Sequence, residues 1–156
     1  MQTHRVAAAS DKTTAVTAWE ALFRAQVSVL RQLNAEFPTG ELSLNEYDVL
    51  FNLSRQPERA LRIRDLNTHL LLTQPSVSRL VDRLVARELV RKEPDPGDGR
   101  GTVVCLTDAG YDLFRRVAVT HAESIHRRVG GALTTDELEQ LTALTDKLRL
   151  NAPAED

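Results

Sequence analysis

Five polar residues between positions 74 and 83 have the types and spacing that contact with a nucleic acid requires. Gln74, Ser76, Ser78, Arg79 and Arg83 lie opposite an apolar stripe of Val77, Leu80, Val81, Leu84 and Val85, so on one helix they would share the outward face. Glutamine and arginine can pair with adenine and guanine edges in two-pronged fashion, and small hydroxyls allow close approach and bond phosphates. Thr73 is read as the cap of this helix, with Pro75 tolerated in its first turn, and the helix start directs N–H donors at a phosphate. A further arginine, Arg100, sits in the Pro/Gly-rich run 93–101, where an exposed tip could enter a narrow minor groove. Asp98, two residues earlier, is expected to orient that arginine.

Other chemistries are poorly served. Cys105 is the one cysteine, which excludes a disulfide framework and thiolate zinc sites within the chain; on a strand it reads as a small buried hydrophobe. His121 and His126 are five apart and miss the i, i+4 spacing of a shared helical metal site. No Gly-rich phosphate loop follows a strand and no nucleophile elbow occurs, so neither an enzyme nor a cofactor is expected.

Apolar periodicity supplies the elements that would position these groups. Trp19, Leu22, Phe23, Val27, Leu30, Leu33 and Phe37 recur at three- and four-residue steps, predicting a long first helix that ends before Pro38. Ser43 with Glu46 makes a capping box, stapled by Leu42 and Tyr47, and opens a second helix at Leu44. Leu61, Leu66 and Leu70 mark a short third helix, and a three-residue turn at 71–73 leads into the fourth. Two β-rich runs, 89–92 and 102–106, flank the polar loop as a hairpin. Thr107 caps a fifth helix ended by Gly130 and Gly131, and Thr134 with Glu137 opens a sixth whose Leu138, Leu141, Leu144 and Leu148 are expected to face inward.

The chain has 156 residues, 42% apolar and 27% charged, enough for one domain with a real core. Its net charge of −2 conceals an asymmetry: positions 55–100 hold ten Arg or Lys against seven Asp or Glu, a net of +3, leaving −5 elsewhere. No run approaches the ~18 apolar residues of a membrane span and the first residues lack a signal-peptide core, so a cytoplasmic protein with no membrane partner is expected.

Two short helices followed at once by a hairpin with an extended tip is the order of a winged helix-turn-helix. Leu44-x-x-x-x-Val49-Leu50, Ser76-x-Ser78-Arg79-Leu80-Val81-x-Arg83-Leu84, Leu89-Val90-Arg91, Asp98-x-Arg100 and Val104-x-Leu106-Thr107-x-x-Gly110 together resemble the MarR family of bacterial transcriptional regulators. Asn67, where the family usually has alanine, and Gly99, where a second arginine is common, depart from the pattern.

The resemblance implies a mainly α fold with a small β-hairpin wing, a winged helix-turn-helix embedded in six helices that dimerise. One domain would span 11–150, with the winged core at 44–107 and dimerisation helices at 11–38 and 108–150. It implies a homodimeric, sequence-specific regulator, a repressor on a pseudo-palindromic operator, with a small-molecule effector. Double-stranded DNA would meet Thr73, Gln74, Ser76, Ser78, Arg79, Arg83 and Arg100. Trp19 paired with Asp48 is similar to the urate-responsive members, which would put both at an effector pocket. The rival reading is a winged-helix protein-interaction module that never touches DNA. The grouping of Gln74, Ser76, Ser78 and Arg79 on one face speaks against it.

Overall fold

The computed structural model describes residues 11–70 and 76–151, in which six helices surround a three-stranded antiparallel sheet. Helix α1 (Lys12–Glu36) ends where Phe37 turns into extended backbone and drops into the core. Helix α2 (Leu44–Ser54) begins with the expected box. The Glu46 N–H donates to Ser43 Oγ at 3.1 Å and the Ser43 N–H donates to Glu46 Oε1 at 2.9 Å. Leu42 and Tyr47 both join the core cluster, as a staple across the helix start requires.

The stretch at 57–62 departs from the sequence reading. After a single 3₁₀ turn, Pro57–Arg59, residues Ala60–Arg62 form strand β1, and α3 (Ile63–His69) starts only afterwards. Leu61 therefore belongs to a strand, paired with Val104, rather than to the third helix. Glu58 and Arg59 take positive φ of 57° and 53°, reversing the chain so that three residues can add to the sheet.

Helix α4 (Val77–Ala86) buries Leu80, Val81 and Leu84 and half-buries Val77 and Val85, the stripe read from the sequence. Its N-cap is Ser76, whose Oγ accepts the Arg79 N–H at 3.3 Å, so the described helix begins three residues later than a Thr73 cap would place it. Thr73, Gln74, Pro75 and the 71–73 turn lie outside the described residues. The helix ends in a Schellman turn: the Leu89 N–H donates to the Leu84 carbonyl at 3.0 Å, with Glu88 at φ 59° in the position usually given to glycine.

Strands β2 (Val90–Asp95) and β3 (Asp98–Leu106) run further than predicted. Much of the polar run at 93–101 is thus paired backbone, with an irregularity between Pro94 and Asp95, and only Pro96 and Gly97 lie outside the strands. The sheet order is β1-β3-β2. Helix α5 (Asp108–Ile125) continues through a π-helical turn (His126–Gly130), and α6 (Thr135–Leu150) opens with the Thr134/Glu137 box.

The core gathers Val49, Leu50 and Leu53 of α2, the α4 stripe, Val90, Val104 and Leu106 of the sheet, and Leu113 and Val117 of α5. Helix α6 contributes no buried residue. Leu144 is 66% exposed and Leu148 60%, so that stripe faces outward from this chain instead of inward. Trp19, at 59%, and Phe23 are exposed on α1 as well. None of the described helices is long and apolar enough to cross a membrane.

Candidate nucleic-acid interface

Burial of Leu80, Val81 and Leu84 orients α4 and forces Ser78, Arg79, Asp82 and Arg83 outward, where all four are exposed. Ser76 is spent at least partly on capping, its hydroxyl defining the helix start. Arg79 and Arg83 lie one turn apart, and among the described residues neither guanidinium has an ion-pair partner.

Most neighbouring cations are engaged. Arg87 donates to Glu46 Oε2 at 3.0 Å and to the Glu41 carbonyl, Arg91 pairs with Glu93 at 2.8 Å, and Lys92 of β2 bonds Asp82 of α4. Arg62 is held by Asp95. Arg100, exposed near the tip of the hairpin, shares with Arg79 and Arg83 the lack of a carboxylate partner among the described residues. Guanidiniums left unneutralised on an exposed helix face and near a hairpin tip have the chemistry to bond phosphates and base edges.

Asp98 is hydrogen-bonded to the residue that the sequence reading has it orient. Its Oδ1 accepts the main-chain N–H of Arg100 at 3.1 Å, so it fixes the backbone that carries the arginine and leaves the guanidinium alone. Of the two departures from the family pattern, Asn67 is exposed and perturbs no packing, while a Cβ on Gly99 would meet nothing within 4 Å.

A cavity of about 290 Å³ is walled by Leu30 and Leu33 of α1, Tyr47 and Phe51 of α2, and His121 and Ile125 of α5. Asp48 lines it, buried, with Oδ1 accepting the Asn52 side-chain N–H at 2.9 Å. Trp19 does not: it stands over a separate depression between α1 and Leu148 of α6, so among the described residues these two cavities carry Trp19 and Asp48 separately. Sequence spacing assigns His121 no role beyond a rejected metal site, yet its ring packs edge-on to Phe37 (5.2 Å) and Tyr47 (5.1 Å). Burial pushes the His121 pKa down and the Tyr47 pKa up. Only the clustering of Tyr47, Phe51 and Phe114 with His121, from two distant helices, could have signalled this wall, and sequence spacing does not carry such a signal.

The family model described as "MarR family" matches residues 41–101, which contain the capping box, α4, β2 and the tip of the hairpin. The regulator MhqR of Bacillus subtilis is 28% identical over 84% of this chain and 88% of its own. The crystal structure of Sco3205, a MarR family transcriptional regulator from Streptomyces coelicolor in complex with DNA, superposes with a TM-score of 0.75 at 25% identity, covering 94% of this chain and 92% of that one. BpsR of Bordetella bronchiseptica, whose structure concerns regulation of its DNA binding by 6-hydroxynicotinic acid, gives 0.71 at 25% identity over 86% and 93% of the two chains. The winged segment is thus matched by the MarR family model, and nearly the whole fold is similar to that of MarR family transcriptional regulators.

Proposed function

We propose that the protein is a sequence-specific, double-stranded-DNA-binding repressor that acts as a homodimer in the cytoplasm and is released by a small molecule. The observation that carries the DNA reading is the exposure of Arg79 and Arg83 on the one solvent face of α4, with Arg100 on the wing, all three without a carboxylate partner among the described residues. Gln74 and Thr73 would extend the same reading surface, with Ser76 and Ser78 beside them. Sco3205, similar over nearly its whole length, is a regulator in complex with DNA, which supports this assignment.

Residues 11–150 would form one domain. The dimer reading rests on the apolar residues that α1 and α6 leave uncovered, Trp19, Phe23, Leu144 and Leu148 among them. A second copy would bury them around a two-fold axis, which matches a pseudo-palindromic operator. The cavity beside Asp48 is the place for an effector, because α2 presents Tyr47 and Phe51 to it and Val49, Leu50 and Leu53 to the winged core. A ligand favouring one spacing of that helix would shift the dimer away from DNA. The regulation of BpsR by 6-hydroxynicotinic acid supports a response of this kind.

A mobility-shift titration on a mixed-sequence duplex at low salt, followed by selection of bound sequences from a random pool, tests the reading. A retarded complex and a two-fold symmetric consensus are expected. No complex at low salt would favour a protein-interaction module instead.

A further inference from the structure

The wing carries a buried carboxylate that no DNA contact accounts for. Asp95 is 5% exposed although it lies in a hairpin rich in proline, glycine and charge. Its Oδ2 accepts Arg62 Nε at 2.7 Å and its Oδ1 accepts the Gly97 N–H at 2.9 Å. The residue sits where the β2–β3 register slips, and it is pressed against the far strand: a Cβ on Gly101 would come within 3.0 Å of Asp95 Cβ. One carboxylate therefore organises the turn, the bulge and the packing of the wing.

Its partner comes from another part of the domain. Arg62 is the last residue of β1 and the N-cap of α3, the helix that precedes α4, and its side chain does not cap that helix. It reaches across to the hairpin instead, where Nη2 would lie 3.4 Å from a Cβ on Gly97. The wing end is thus tied to the start of α3 at a point removed from the strand pairing, Arg62 standing opposite Val103 in the sheet.

We propose that the Arg62–Asp95 ion pair is a positioning clamp that fixes the pose of the wing, and so of Arg100, relative to the helix-turn-helix. The proposal rests on the DNA-binding reading above. Neither residue need touch DNA. The pair acts by holding a two-stranded ribbon, a weakly stable unit by itself, at one angle.

Charge makes the clamp separable from simple electrostatics. Asp95→Asn preserves the acceptor for Gly97, removes the partner of Arg62 and makes each subunit one unit more positive. Electrostatics alone would then tighten binding to any duplex. The clamp requires the opposite. On a mixed-sequence duplex, Asp95→Asn should bind about tenfold more weakly, as the loss of one charge-assisted hydrogen bond from Arg100 to the duplex would dictate. It should have no further effect in an Arg100→Ala background, because its action runs through Arg100. Hydrogen exchange at the Gly97 and Arg100 amides should accelerate while the Leu80 and Leu84 amides stay protected.

Should Asp95→Asn fail to fold, Arg62→Gln breaks the same pair from the partly exposed side, and the same lack of additivity with Arg100→Ala is expected. Binding by Asp95→Asn as tight as the parent's, or a loss that adds in full to that of Arg100→Ala, overturns the clamp. If the parent itself fails to bind the duplex, or Arg100→Ala binds it unchanged, the reading of the wing as a DNA contact falls and the clamp's role with it.

Discussion

Gly110 offers the most exposed test of how the winged core is joined to α5. The Thr107 cap and the start of β2 meet there. The Gly110 N–H donates to Thr107 Oγ1 at 3.0 Å, that hydroxyl donates towards the carbonyls of Glu88 and Leu89, and the Thr107 N–H donates to Leu89 O at 3.1 Å. A Cβ on Gly110 would lie 2.0 Å from Leu89 O and 2.9 Å from Leu106 Cδ1. Backbone cannot swing aside as a side chain does, so Gly110→Ala must push the helix start off the strand. Two or three hydrogen bonds at about 1 kcal/mol each are then broken, and overpacking against Leu106 adds about 1–3 kcal/mol. Alanine's better helix propensity returns about 1 kcal/mol. The net expected loss is about 3 kcal/mol, a large part of the ~5–15 kcal/mol of a typical domain. Urea unfolding followed by circular dichroism, with the slope unchanged and the midpoint lowered, measures it. Gly99→Ala, where the added carbon meets nothing within 4 Å, is the control and should change stability by less than about 0.5 kcal/mol. A Gly110→Ala loss below about 1 kcal/mol would refute the close-approach argument.

Three further outcomes are expected. Glu88→Gly relieves the left-handed residue that closes α4 and should stabilise the protein by up to about 1 kcal/mol; a lower midpoint in urea would count against the Schellman reading. Burial holds the His121 pKa below its ordinary 6.5, so the unfolded chain takes up that proton first; the stability tied to its neutral form is intact above about pH 6.5 and declines as pH falls through the folded value. His121→Phe should flatten the pH 7 to 5 stability profile, and superimposable profiles would contradict this. Removing α6 (Thr135–Leu150) deletes the exposed Leu141, Leu144 and Leu148 stripe and should abolish the dimer; sedimentation of the truncated chain as an intact dimer, or of the full chain as a stable 17.4 kDa monomer at micromolar concentration, would defeat the two-fold assignment.

How much of the fold is legible in the sequence depends on how local each signal is. The α2 capping box is readable because Ser43 and Glu46 satisfy each other within one turn, and the α4 stripe because periodicity reports a face directly. Periodicity does not report what a face meets, which is why Leu144 and Leu148 read as inward and yet lie exposed on the single chain. Three residues in a strand are too few to show alternation, so β1 reads as part of α3. Asp95 has the pattern of a loop residue because its burial is created by Arg62, far away in sequence, and the pairing of Trp19 with Asp48 comes from resemblance although separate surfaces carry them.

A reading helix and a holding wing should fail in different ways when each loses its arginine. Titrating Arg79→Ala and Arg100→Ala on the selected operator and on a scrambled duplex, at several salt concentrations, separates the two roles. Arg79→Ala should cost about 1–3 kcal/mol on the operator and far less on the scrambled duplex, relaxing preference at one position in each half-site. Arg100→Ala should weaken both duplexes alike and reduce the salt slope by about one per subunit. Equal fractional losses on the two duplexes for Arg79→Ala would contradict base reading by α4, because a helix that loses no discrimination was not reading sequence.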